Sequence, residues 1–120
     1  MVEREVLDFE IVFYERLLKD KPDFVEVLVA LGDAYTRKGL YEKGLEVDKR
    51  LSVMRPNDAY VQYNLACSLS LLSELDEAIA ALKKAISLGY CDFAYMEKDP
   101  DLDNVKRDSR YQKLFGSRRE

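Results

Sequence analysis

The chain contains no histidine and no tryptophan, and only two cysteines, three prolines and five glycines in 120 residues. The missing histidine removes the usual general acid-base group, the commonest zinc ligand and the side chain that titrates near neutral pH. Cys67 and Cys91 lie far apart with no Cys-x-x-Cys spacing, so neither a zinc site nor a dithiol motif is available, and both are expected as reduced thiols. Long apolar runs are absent: none is longer than that at residues 27–31, far short of the roughly 18 that span a bilayer, so no membrane association is expected. The opening Met1-Val2-Glu3-Arg4-Glu5 carries charge before any apolar stretch and does not read as a secretory signal, which makes the cytoplasm the expected compartment. An excess of positive charge is lacking as well. Nineteen basic residues against twenty-three acidic ones give a net charge of −4, which repels a phosphate backbone, so nucleic acid is not an expected partner. Neither G-x-G-x-x-G nor G-K-[ST] occurs, so no phosphate cradle is encoded. No enzymatic activity and no cofactor are expected. What remains, 48% hydrophobic and 35% charged residues, is enough for one globular domain with a single core.

That composition is organised by an internal period of 34 residues. Aligning residues 25–58 with 59–92 sets Leu31 over Leu65, Gly32 over Ala66, Tyr35 over Leu69, Tyr41 over Leu75, Gly44 over Ala78 and Leu45 over Ile79. Small residues meet small ones and large meet large. The same shift backwards sets Leu7 on Tyr41, Ile11 on Leu45, Leu17 on Leu51 and Pro22 on Pro56, so residues 1–24 read as a leading half repeat. Inside each unit the apolar residues recur in steps of three and four, as in Leu75, Ala78, Ile79, Leu82, Ala85 and Ile86, which is the spacing of a helix with one buried stripe. Lys38-Gly39 and Leu72-Ser73 punctuate the hairpins, and Arg55-Pro56-Asn57-Asp58 separates one hairpin from the next. The pattern predicts helices near residues 3–20, 24–38, 41–54, 58–72 and 75–88. Ser73 with Asp76 three residues on predicts a capping box, and Gly89 a left-handed helix end.

The series Leu31-Gly32, Tyr35, Gly39, Tyr41, Pro56, echoed by Leu65-Ala66, Leu69, Leu75, Ala78 and Ala85, resembles the tetratricopeptide repeat. The resemblance implies an all-α fold in which helical hairpins stack into a right-handed superhelix, each covering the apolar face its neighbour leaves bare. It covers two full repeats, 25–58 and 59–92, and the leading half. Departures are Gly44 and Asp48, where the family prefers Ala and a large apolar residue, Gln62 at another apolar position, and Tyr90 in place of the closing Pro. Beyond residue 92, a short helix, the step Asp99-Pro100-Asp101-Leu102 and a further helix resemble the segment that closes such arrays. Leu102, Val105, Tyr111, Leu114 and Phe115 would cover the last hairpin, and residues 116–120, with Arg118-Arg119, would form a frayed solubilising tail.

Three sets of residues are candidates for function. Asp99, Asp101 and Asp103 have the alternate spacing that opens a calcium loop, but Asn104 replaces its Gly and Arg110 its closing Glu, so a solvated helix-start role is expected. Glu74, Asp76 and Glu77 likewise read as solvated acids at a helix start. The third set follows from the resemblance, which implies that the first helix of each hairpin lines a concave groove. Tyr60, Tyr63, Cys67 and Leu71 form its stripe with Asn64 and Ser70 beside them, and Glu26, Val29, Asp33, Thr36 and Arg37 are the counterparts in the first repeat. Tyr95 and Lys98 would extend it from the closing segment. The expected function is a protein-interaction module holding a peptide or protein, with tyrosines as anchors and Asn64 bonding a ligand backbone. Val29 and Asp33 stand where members that grip acidic chaperone tails carry Lys and Asn, so that ligand is not expected. The alternative is self-association, as a homodimer or higher oligomer, through Phe9, Phe13 and Tyr14 of the first helix; the same open face would suit a fragment of a longer array.

Overall fold

A computed structural model describes residues 2–115; the expected tail at 116–120, with Arg118-Arg119, lies outside the described residues. The elements are α1 (Glu3–Asp20), α2 (Val25–Lys38), α3 (Tyr41–Met54), α4 (Ala59–Leu71), α5 (Leu75–Ser87), α6 (Phe93–Lys98), a 3-10 turn (Pro100–Leu102), α7 (Asp103–Lys106) and α8 (Ser109–Lys113). The five long helices agree with the periodicity to within a residue at each end. No strand occurs among the described residues, and no helix there is long and apolar enough to cross a membrane. The chain divides into two compact units, Met1–Met54 and Arg55–Glu120.

In the first unit α1 and α3 both pack on α2. Leu7 and Ile11 of α1 are buried, as are Val27, Leu28, Leu31 and Ala34 of α2 and Val47 and Leu51 of α3. The Tyr35 hydroxyl donates to Glu15 at 2.5 Å, Arg37 pairs with Glu3 at 2.8 Å, and Lys38 pairs with Asp8, so α1 is tied along its length to α2. At Gly44 α3 comes close to α2. A Cβ there would stand 2.8 Å from the Thr36 hydroxyl, which itself bonds the Gly32 carbonyl. The departure from Ala at this position is thus steric, and the space it leaves is filled by Thr36.

In the second unit α4 is the central helix, packed against α5 and against the closing segment. Asp58 caps α4 by accepting from the amides of Tyr60 and Val61. Of the residues expected to cover the last hairpin, Leu102, Val105, Tyr111 and Phe115 are essentially inaccessible and Leu114 is half-buried, while Met96, which the sequence reading did not single out, is buried as well. Pro100 ends α6 as expected, since proline disfavours a helical residue before it, and Asp99 becomes the boundary residue.

The hairpin turns repeat with the sequence period. Leu40 N–H bonds the Tyr35 carbonyl at 2.8 Å around Gly39, and Glu74 N–H bonds the Leu69 carbonyl at 2.9 Å around Ser73, one period later. Both are six-residue closures around a left-handed residue, with φ of 88° at Gly39 and 58° at Ser73. The expected capping box is therefore corrected. Ser73 ends α4 rather than starting α5, whose N-cap position belongs to Glu74 and has no side-chain cap, and the Ser73 hydroxyl accepts from the Asn104 amide at 3.3 Å. Gly89 closes α5 with φ of 110°, as expected.

Candidate functional site

The stripe expected on α4 splits in two when the closing segment folds over it. Tyr60 is 70% exposed and Asn64 is exposed, whereas Tyr63 is 4% exposed and Cys67 is buried. Leu71 is half-buried and Ser70 fully buried. Tyr63 and Cys67 are thereby corrected from ligand-facing positions to core positions: α6 and the 3-10 turn lie where the sequence alone left an open face.

What covers them is a second set of aromatic and acidic groups. The Tyr90 ring stacks on Tyr63 at 4.3 Å with planes 3° apart, while Tyr60 meets the edge of Tyr90 at 5.8 Å and Tyr95 leans on Tyr63 at 6.4 Å. Below the stack, the Tyr63 hydroxyl donates to Asp99 Oδ2 at 2.5 Å, and the Cys67 thiol reaches the same oxygen at 3.7 Å. The other oxygen, Oδ1, accepts from the Asp101 amide at 3.0 Å. Ser70 accepts from the Val105 amide at 3.2 Å, and the Asn104 amide donates to the Ser70 carbonyl at 2.9 Å. A buried carboxylate costs several kcal/mol unless its lone pairs are satisfied, and here three donors converge on it.

This environment sets the titration of its neighbours. Burial, together with the adjacent Cys67 and the bond to Asp99, pushes the Tyr63 phenol up. Burial and then the Asp99 carboxylate push the Cys67 thiol well up, so Cys67 is held as a thiol rather than a reactive thiolate. Burial likewise pushes Tyr90 and Tyr111 to about 12. The acids singled out for a calcium loop are therefore not a solvated trio. Asp99 is buried and bonded to α4, Asp101 is half-buried, and Asp103 is exposed at 3.8 Å from Lys106. Cys67, Asp99 and Asp101 do bring ligand-type atoms within 4.8 Å of one another, but the Asp99 oxygens already serve the hydrogen bonds that lock the closing segment onto α4.

Of the groove residues expected in the second unit, Tyr60, Asn64, Tyr95 and Lys98 remain exposed, the two tyrosine rings flanking the buried Tyr63–Tyr90 stack, with Asn64 one turn from Tyr60 on α4 and Lys98 three residues from Tyr95 on α6. In the first unit Val29, Asp33 and Arg37 are exposed on α2, with Arg37 held between Glu3 and Asp33 at 2.8 and 3.5 Å. Thr36 is corrected as a ligand position, because its hydroxyl is turned back onto Gly32 and the Gly44 backbone. The role of Asp99 escaped the sequence reading, although a carboxylate directly before Pro carries a usable signal. One of its oxygens caps the following turn, and the other is left to point back at the preceding hairpin.

Helical hairpins repeated at 34 residues, closed by the same turn one period apart, define a helical-repeat protein. Residues 59–88 match the family model described as tetratricopeptide repeat. The structure is similar to a solved structure of MamA, with a TM-score of 0.70 and 29% identity, covering 91% of this chain and 67% of that one. Among curated proteins the chain is similar to a chloroplastic protein of Arabidopsis thaliana, with 33% identity over 70% of this chain and 26% of the relative. It is also similar to Superkiller protein 3 of Schizosaccharomyces pombe, with 30% identity over 65% of this chain and 6% of the relative. A third relative is the CTR9 homolog of Arabidopsis thaliana, 36% identical over 62% of this chain and 7% of the relative. The chain spans about a quarter of the first of these proteins and less than a tenth of the other two. Residues 59–88 thus carry a tetratricopeptide repeat, and the all-helical fold is of the tetratricopeptide-repeat type, a type that typically serves as a non-enzymatic protein-interaction module.

Proposed function

We propose that the chain holds a peptide or protein segment on the exposed surface built from Tyr60, Asn64, Tyr95 and Lys98. The observation that carries this reading is the pair of exposed tyrosine rings seated against a rigid stack. Tyr60 and Tyr95 rest on Tyr90 and Tyr63, which are themselves locked by Asp99, so the two rings lose little further freedom when a ligand covers them. Asn64 supplies one amide donor-acceptor pair for a ligand backbone, and Lys98 favours a ligand acid nearby. Val29, Asp33 and Arg37 on α2 are proposed as a separate contact region of the same kind. The chain is read as a single repeat domain: a leading half repeat at 1–24, repeats at 25–58 and 59–92, and a closing segment at 93–120. A cytoplasmic location is part of the same proposal, supported by two cysteines that stay free thiols.

The test is selection from a displayed peptide library by the wild-type chain beside a Tyr60→Ser/Tyr95→Ser variant. Both substitutions are on exposed rings, so helical circular dichroism is expected to be unchanged. The expected outcome is a recurring peptide class enriched by the wild type and lost by the variant. Equal enrichment by both proteins refutes this surface as the working one.

A further inference from the structure

The side of α1 opposite Leu7 and Ile11 carries an apolar stripe. Val6, Phe9, Val12 and Phe13 are exposed, with Val2 just ahead of the helix, and Phe9 is 76% accessible and Phe13 53%. The expected third member, Tyr14, turns aside: it is half-buried and its hydroxyl donates to Glu10 at 3.4 Å. At about 100° per residue, Glu5 and Arg16 fall on the same face as the stripe, about one turn before and two turns after Phe9. The charges on the flank towards α2 are engaged, Glu3 with Arg37 and Asp8 with Lys38. The side chains of Glu5 and Arg16 make no hydrogen bond or ion pair among the described residues. They lie about 16 Å apart along the helix, one towards each end, with Phe9, Val12 and Phe13 between them.

That arrangement complements itself in one orientation. We propose that the stripe is a docking surface for a second copy of this chain, with the two α1 helices antiparallel about a two-fold axis. Phe9 of each copy then lies against Val12 and Phe13 of the other, and Glu5 of each lies against Arg16 of the other, so each ion pair forms twice. A parallel arrangement would set Glu5 against Glu5 and Arg16 against Arg16. One helix pair falls at the low end of interface sizes, so the dimer forms with concentration rather than being permanent. The inference concerns α1 alone and stands or falls independently of the peptide surface proposed above.

Analytical ultracentrifugation of the full chain over a concentration series at low salt tests it, with circular dichroism on every variant. The wild type is expected to move from one-chain to two-chain mass as concentration rises, and Phe9→Asp to stay at one-chain mass with unchanged helicity. Glu5→Arg and Arg16→Glu, each alone, create two like-charge contacts in the dimer and are expected to weaken association by about tenfold. An equimolar mixture of those two variants restores both opposite-charge pairs and is expected to associate like the wild type. Wild type that stays at one-chain mass up to its solubility limit overturns the proposal. So does association that survives Phe9→Asp, or a mixture no tighter than its separate components.

Discussion

Ser73 occupies a left-handed conformation that one period earlier is taken by Gly39. A side chain at positive φ brings its Cβ against the backbone, and glycine avoids that cost. Ser73→Gly is therefore expected to raise stability by about 1 kcal/mol, less the small contribution of the exposed bond from Asn104, measured as a shift in the urea midpoint at constant m. An unchanged or lowered midpoint would mean that the serine hydroxyl matters more to this turn than its backbone does. Gly44 illustrates the opposite case, in which glycine is needed for space rather than for φ. Both positions were visible as punctuation or departure in the sequence. Which physical reason applied was not, because a one-dimensional pattern does not show that Thr36 stands 2.8 Å from where a Cβ would be.

Among the elements, the closing segment has the largest consequence for its size. Its helices are too short to be stable alone, so they exist because Met96, Leu102, Val105, Tyr111 and Phe115 are buried against the last hairpin and because Asp99 and Asn104 bond back to α4. Leu102→Ala leaves a cavity in a fully buried site and is expected to cost about 3 kcal/mol in chemical denaturation. Loss of the segment from α4 would also expose Tyr63 and Cys67, so the same variant is expected to make Cys67 reactive to a thiol reagent, while Cys91, already exposed, reacts in both proteins. A small cost with Cys67 still protected would show that the segment does not depend on this contact. Four of these five apolar residues, Leu102, Val105, Tyr111 and Phe115, were legible from the sequence; Met96 was not, and Leu114, expected with them, is only half-buried. That it buries half of the expected α4 stripe was not, since covering Tyr63 depends on a bond between residues 36 positions apart.

Across the whole molecule, burial of tyrosine governs the alkaline limit of stability. Tyr90 and Tyr111 are pushed to about 12, and Tyr35 and Tyr63 are also raised, in each case first by burial. A phenol with a raised native pKa keeps its proton in the folded state where the unfolded chain has lost it. The stabilisation is thus complete below the ordinary phenol value near 10 and falls as pH rises through about 12. The expected result is a melting temperature that declines from about pH 10 upward, with the buried tyrosines ionising only as the helical signal is lost. Full ionisation of all eight tyrosines while the helices persist would contradict this burial.

The sequence by itself determined the helices, their 34-residue pairing and the membership of a helical-repeat class. These follow from spacing: apolar steps of three and four dictate a helix with one buried stripe, and the regular return of small residues dictates where helices meet. The tertiary structure decided which side chains a ligand can reach. Tyr60 and Tyr63 lie three residues apart on one helix face, and the stacking of Tyr90 with the docking of α6 and Asp99 leaves the first exposed while placing the second in the core. Periodicity records the face a residue occupies; accessibility depends on what distant chain folds over that face, and that contact is not local.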